Sequence, residues 1–372
     1  MKPLAGIRVV ELARILAGPW CGQLLADLGA EVVKVERPGA GDDTRHWGPP
    51  FLHDADGASL DAAYYHSCNR GKTGRAIDIA TPEGQAEVRA LVADADVVIE
   101  NYKVGGLAKY GLDNASLSAI RPGLVTCSIT GFGQTGPYAH RAGYDFIIQA
   151  MGGFMSLTGE PDGPPQKAGI AYADIFTGVY AAVAILAALR RRDASGEGAH
   201  IDMALMDTQV AVLANQALNW MASGRVPQRM GNGHANLAPY QAFPTEDGDL
   251  VIAVGNDGQF RRLCEVLGLA LADDPAFATN PSRLAHREPL VAAIEDATRR
   301  WSRDALAGAL ETVGVPAGPI NALDQVFADP QIVARGLRIA PGGLPGVASP
   351  IVIDGERMAS DRPSPPRAAN DR

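Results

Sequence analysis

The chain has 372 residues, 47% of them apolar, and a formal net charge of −9. Its length and apolar share allow a large buried core, point to two domains and exclude a disordered chain. The acidic balance, with no long block of Lys or Arg, excludes a nucleic-acid surface, so any anion site must be local.

From the N-terminus, Ile7 to Leu12 reads as a short apolar strand, Pro19 to Leu28 as a helix with proline in its first turn, and Glu31 to Val35 as a second strand. The alternation continues with a strand at Ala76 to Ile79, a helix from Thr81-Pro82 to about Ala93, and strands at Asp96 to Ile99 and Leu124 to Ile129. Strands alternating with helices predict an α/β fold whose parallel sheet is covered on both faces. Asp174 then opens a long helix of small residues to about Arg192, followed by a strand at Ala199 to Met203 and a helix from Ala204 to about Ser223. Beyond Gly224, Tyr240 to Pro244 and Leu250 to Val254 flank Asp247-Gly248 as a hairpin would. Helices are expected near 258–267, 287–298 and 302–313, the last with Ser302 as N-cap. These segments predict a large domain over residues 1–224, a smaller α+β domain over 225–330, and a C-terminal segment, 331–372, returning to the large domain. The stretch from Arg362 to Arg372 reads as too polar and too proline-rich to pack.

Cys21, Cys68, Cys127 and Cys264 are widely spaced, and the seven histidines include no helical pair, so buried free thiols and no metal site are expected. The N-terminus has no charged region followed by an apolar one, and the apolar run from Ile175 to Leu189 stops at three arginines, short of a membrane span. The expectation is a cytoplasmic protein without membrane or nucleic-acid partners.

Gly131-Phe-Gly-Gln-Thr-Gly136 satisfies the dinucleotide fingerprint, but it lies far along the chain and runs into Pro137 rather than an apolar helix. A tight loop with close backbone approach is the better use of these glycines. Arg37 and Arg45 lie in a glycine-rich loop after the second strand, where they could grip a phosphate or pair with Glu36, Asp42 and Asp43. Asn101-Tyr102-Lys103 offers an amide, an aromatic face and a cation after the strand ending at Glu100. Asp174 reads first as an N-cap, a role compatible with that of a carboxylate nucleophile kept ionised by the helix terminus. A hydrolase triad lacks its Gly-x-Ser-x-Gly elbow.

Taken together, Leu16-Ala-Gly-Pro19, the run from Ala26 to Pro38, Cys68-Asn-Arg-Gly-Lys72, Glu100-Asn-Tyr102, Ser128 to Gly133, and Asp174 with Gly178 resemble the class III coenzyme A transferases. That resemblance implies a Rossmann-like large domain and an interlocked ring homodimer. It puts Asp174 at the family's nucleophile, attacking the acyl-CoA thioester to give an aspartyl-acyl anhydride, with coenzyme A as substrate and no other cofactor. It also puts Arg37, Lys72, Asn101, Tyr102 and Lys109 along the CoA groove, and Gly255, Asn256, Asp257, Gly258 and Gln259 at a glycine loop that covers the intermediate. Oxalate-specific members carry glutamine where this chain has Leu16, so the expected partners are succinyl-CoA, or a similar short acyl-CoA, and a short dicarboxylate such as glutarate, itaconate, citramalate or mesaconate. Arg45 and Arg141 are the candidates for the acceptor's free carboxylate, ahead of His46 and His234. Two alternatives stand beside this: an acyl-CoA racemase or isomerase of the same fold, whose Gly-His-Asp segment reads Gly143-Tyr144-Asp145 here, and a non-catalytic CoA-binding module.

Overall fold

The computed structural model describes residues 2–54 and 56–367. Six strands form one parallel sheet: β1 (Arg8–Glu11), β2 (Glu31–Glu36), β3 (Thr73–Ala76), β4 (Val97–Glu100), β5 (Val125–Thr130) and β6 (Ala199–Ala204). Their order is β3-β2-β1-β4-β5-β6, so the chain winds outward from β1 in one direction and then restarts at β4 on the other side. This Rossmann-type order leaves a crevice where the loops after β1 and β4 diverge.

Alternating strand residues build two cores. Val9, Val97, Ile99, Val125 and Cys127 pack with helices α1 (Ala17–Asp27) and α5 (Tyr172–Ser195), named in chain order after α2 (Pro82–Ala93), α3 (Asn114–Ile120) and α4 (Asp145–Met151). Val10 and Val98 face the other way, onto Val88 and Val92 of α2 and Leu117 of α3. Helix α5 has the length and apolar content of a membrane span, contrary to the reading from residues 175–189. One face of it packs into the core of the large unit, with Ala173, Gly178, Ala181, Ala182, Ile185 and Leu189 buried. Gly178 sits where α5 meets α1; a Cβ there would lie 2.7 Å from Ala17 O. All four cysteines are free and buried.

Several boundaries differ from the sequence reading. The third strand is Thr73–Ala76 rather than 76–79, because hydrogen-bonding register with Val33 to Glu36, not apolarity, defines this edge strand. The helix expected over 204–223 is two, α6 (Leu205–Ala211) and α7 (Ala214–Ser223), separated at Ala214, whose φ is +46°. The C-terminal segment also packs more than its composition implied: Ser364 and Pro365 are buried, and Arg362 O accepts from Gly71 N. Residues 368–372 lie outside the described residues.

The chain divides into two compact units, one built from residues up to Phe154, Lys167–Leu213 and the chain from Asp329, the other from Met155–Gln166 and Ala214–Ala328. The smaller unit therefore also takes in 155–166, which Arg229 holds through the carbonyls of Glu160 and Gly163. Its sheet is antiparallel, with β8 (Asp249–Ala253) between β7 (Tyr240–Pro244) and β9 (Ala317–Pro319). Helices α8 (Asp257–Leu267), α9 (Arg287–Thr298) and α10 (Arg303–Thr312) cover a core that includes Phe243, Leu250, Phe260, Leu290 and Leu306. Ser302 stands at the N-cap of α10, but Asp247 supplies the carboxylate that accepts from Arg303 N.

Candidate active site

A cavity of about 420 Å³ opens at the crevice of the large unit's sheet. Its walls are Arg14 to Ala17 after β1, Asn101 to Val104, Lys109 and Tyr110 after β4, Thr130 and Gly131 at the end of β5, the segment Ala139 to Tyr144, and Asp174. Asn101, Tyr102, Lys109, Arg141 and Asp174, from three separate stretches of sequence, thus share one cavity.

Asp174 is half-buried in the first turn of α5 but does not cap it. Ala171 holds the N-cap position, and the capping acceptor comes from another helix: Asp145 Oδ1 accepts from Ala173 N at 2.8 Å and Asp174 N at 3.3 Å. Asp145 Oδ2 in turn accepts from Gln149 Nε2 at 2.7 Å, fixing the carboxylate. This corrects the expectation that Asp174 stays ionised at neutral pH. Burial, and then the Asp145 carboxylate beside it, raise Asp174 to about 7. Tyr64, half-buried, is held protonated by burial and by the nearby Asp174 carboxylate.

The cations divide into two groups. Arg141 is exposed at the cavity wall with its guanidinium 3.8 Å over the Tyr138 ring, and no carboxylate pairs with it among the described residues. Lys109 is likewise exposed, over Tyr110. Arg37 is exposed near Tyr102 but does not line the cavity. Arg45 and Lys72, by contrast, are buried. Arg45 is held by Glu36, Asp61 and Tyr65; Lys72 donates to Glu11, Asn69 Oδ1 and Pro19 O. Neither presents its charge to the cavity, contrary to the expectation of ligand contacts, because both side chains are buried and tied to internal groups. Asn101 lines the cavity, yet its side-chain amide is committed to the backbone N–H and carbonyl of Arg14. His46 bonds Ala40 O.

The fingerprint-like glycines serve backbone contact: a Cβ on Gly131 would meet Gly143 Cα at 2.5 Å, so two cavity-lining segments touch main chain to main chain. In the smaller unit, Gly255 to Gln259 forms a helix start. Asn256 caps α8 by accepting from Gln259 N, Gln259 Oε1 accepts from Gly255 N, and Asp257 pairs with Arg283. His234 Nδ1 accepts from Asn236 N there.

Arg14, Tyr64 and the capping role of Asp145 were not singled out from sequence. Arg14 follows β1 at the carboxyl end of a parallel strand, a position that marks ligand-binding loops, and that signal could have found it. Nothing local marks the other two.

A cavity at the switch point of a Rossmann-ordered sheet, lined by the Asp174 carboxylate and by Lys109 and Arg141, suits an anionic ligand on an α/β scaffold. The chain belongs to CoA-transferase family III, whose model matches residues 4–372, and it is a class III CoA transferase. It is 60% identical over 369 residues to a succinate–glutarate CoA-transferase of Agrobacterium fabrum, covering 98% of this chain and 92% of that one. To a succinyl-CoA:glutarate CoA-transferase of Mus musculus it is 45% identical, covering 91% and 76%. The fold is similar to that of a CAIB/BAIF family protein from Brucella suis, with a TM-score of 0.89, 58% identity and coverage of 100% and 97%.

Proposed function

We propose that this transferase moves CoA from succinyl-CoA to glutarate or a closely related dicarboxylate, through an anhydride formed on Asp174. The observation that carries the reading is the shared cavity, in which the Asp174 carboxylate faces Tyr102, Lys109 and Arg141. The names of the two relatives support the donor and the acceptor. The walls suit a methylene chain with a charged end, since Ile15, Leu16 and Leu205 are apolar and Arg141 is an unpaired cation.

In the first step an Asp174 carboxylate oxygen attacks the thioester carbonyl carbon, the C–S bond breaks, and the CoA thiolate leaves. An anhydride and a thioester are both activated acyl groups, so the step is near balance. The acceptor carboxylate then attacks the Asp174 carbonyl carbon of the anhydride and releases succinate. The retained thiolate attacks the acceptor's acyl carbon, forming the new thioester and freeing the Asp174 carboxylate. Lys109 and the exposed Arg37 suit the CoA phosphates, with Tyr102 beside them. No cofactor beyond the CoA substrate enters these steps.

Asp174→Asn should keep the fold and CoA binding while transfer falls by orders of magnitude. Wild-type enzyme treated with succinyl-CoA and then hydroxylamine should carry the label on the Asp174 peptide. Near-normal turnover by the variant, with deamidation ruled out by mass spectrometry, would overturn the mechanism. An acceptor panel in which monocarboxylates turned over as fast as glutarate would overturn the substrate assignment.

A further inference from the structure

The segment that carries Arg14, Ile15, Leu16 and Ala17 into the cavity is bent against its residue types. Ile15 has φ of +72°, a left-handed conformation strongly disfavoured for a β-branched side chain. Such a conformation persists only where surroundings over-determine it, and here they do so with side chains from four elements or loops, Asp42, Lys34 and Lys72 buried and Asn101 half-buried. Asp42 accepts from Ile15 N with both carboxylate oxygens, each at 3.2 Å. Lys34 Nζ donates to Ala13 O at 2.9 Å and pairs with Asp42 at 2.9 Å. Asn101 brackets Arg14 through both of its backbone groups. Lys72 Nζ donates to Pro19 O at 2.8 Å. Glu11 joins the two lysines from below, and Glu11, Lys34, Asp42 and Lys72 are all buried.

We propose that Asp42 is a positioning residue for the transfer reaction: backed by Lys34, it holds Ile15 in the left-handed conformation and so sets the Arg14 to Ala17 wall against Asp174. Asp42 does not itself line the cavity. Its effect passes through one peptide N–H. Were Ile15 to relax to an ordinary negative φ, the peptide would turn and the wall residues after it would leave their places. The proposal rests on the reading of this cavity as the reaction site.

The test compares Asp42→Asn and Asp42→Ala in the full-length enzyme, each with and without Ile15→Gly, because glycine adopts the left-handed conformation without strain. Asp42→Asn keeps one oxygen for the Ile15 N–H and should retain most of kcat. Asp42→Ala should lose about 100-fold in kcat with the acyl-CoA KM changing less than about threefold, as expected for misplacement of a reacting geometry. In that background Ile15→Gly should recover about tenfold, whereas in the wild-type background it should lower kcat. A merely structural role for the buried charges predicts no such recovery. If Asp42→Ala does not fold, Asp42→Ser takes its place, keeping a hydroxyl acceptor for Thr44 N but none with the reach of the carboxylate, and Ile15→Gly must then narrow its gap to wild type. No recovery in the deciding pair, folded by circular dichroism, overturns the proposal. Asp174→Asn measured alongside separates the two claims: near-normal turnover there would overturn the cavity reading and this proposal with it, while loss there without recovery here would overturn this proposal alone.

Discussion

The proton on Asp174 governs the chemistry at residue scale. A nucleophile raised to about 7 is only partly ionised at neutral pH, so kcat/KM should climb about tenfold per pH unit below that value and level off above it. Asp145→Asn keeps an oxygen for the N–H groups of Ala173 and Asp174 but removes a neighbouring negative charge. The break in its pH profile should therefore move to lower pH; a profile with an unmoved break would exclude Asp145 as a source of the shift. Stability carries the same signature with a defined sign. The folded state holds the Asp174 proton more tightly than an unfolded chain with the ordinary value of 3.8. This group's contribution to stability therefore falls as pH rises from about 4 to about 7. Asp174→Asn, neutral throughout, should be more stable than wild type at pH 8 by about 1–3 kcal/mol, a range discounted for partial exposure, and should show little difference near pH 4. Denaturant melts at the two pH values would measure this.

At the scale of elements, the position of Asp174 depends on how closely α5 approaches α1. Gly178 lies one turn after Asp174, with Ala17 O and the Trp20 side chain where a Cβ would have to fit. Gly178→Ala should force the helices apart, at a cost of about 1–3 kcal/mol in stability. Because Ala17 itself lines the cavity, kcat should fall more than the melting temperature suggests. Equal kcat in Gly178→Ala and wild type would show that the reaction tolerates the shift. The start of α8 makes a comparable case in the smaller unit. Gln259→Ala removes the acceptor for Gly255 N, and the smaller unit should lose about 1 kcal/mol of stability in denaturant melts.

For the whole molecule, the large unit leaves a good deal of apolar surface uncovered. Phe146 and Ile147 on α4 and Tyr180 and Val183 on α5 are exposed, Val183 by 58% and Phe146 by 56%. Neighbouring apolar residues of this kind mark a surface meant for contact. It fits the homodimer implied by the family resemblance, in which interlocked chains would share a large interface and resist dissociation short of unfolding. Sedimentation velocity over a wide dilution range should show a single dimeric species; a folded monomer at low concentration would exclude interlocking.

What the sequence determined by itself is whatever local pattern encodes: the alternation of strands and helices, the covered parallel sheet, the hairpin around Asp247-Gly248, and a helix that brings Asp174 into its first turn. Residue type also carried the candidate list, since a carboxylate, an aromatic ring and cations are visible one at a time. Tertiary structure alone decided which of them meet. It buried Arg45 and Lys72 among Glu36, Asp61 and Glu11, left Arg141 at the cavity, and brought Asp145 from a separate helix to cap α5 in place of Asp174. It also bent Ile15 against its own preference. Burial and partner choice are set by residues dozens to hundreds of positions apart, and a side chain's charge state follows from those neighbours and from lost water, neither of which a local pattern contains.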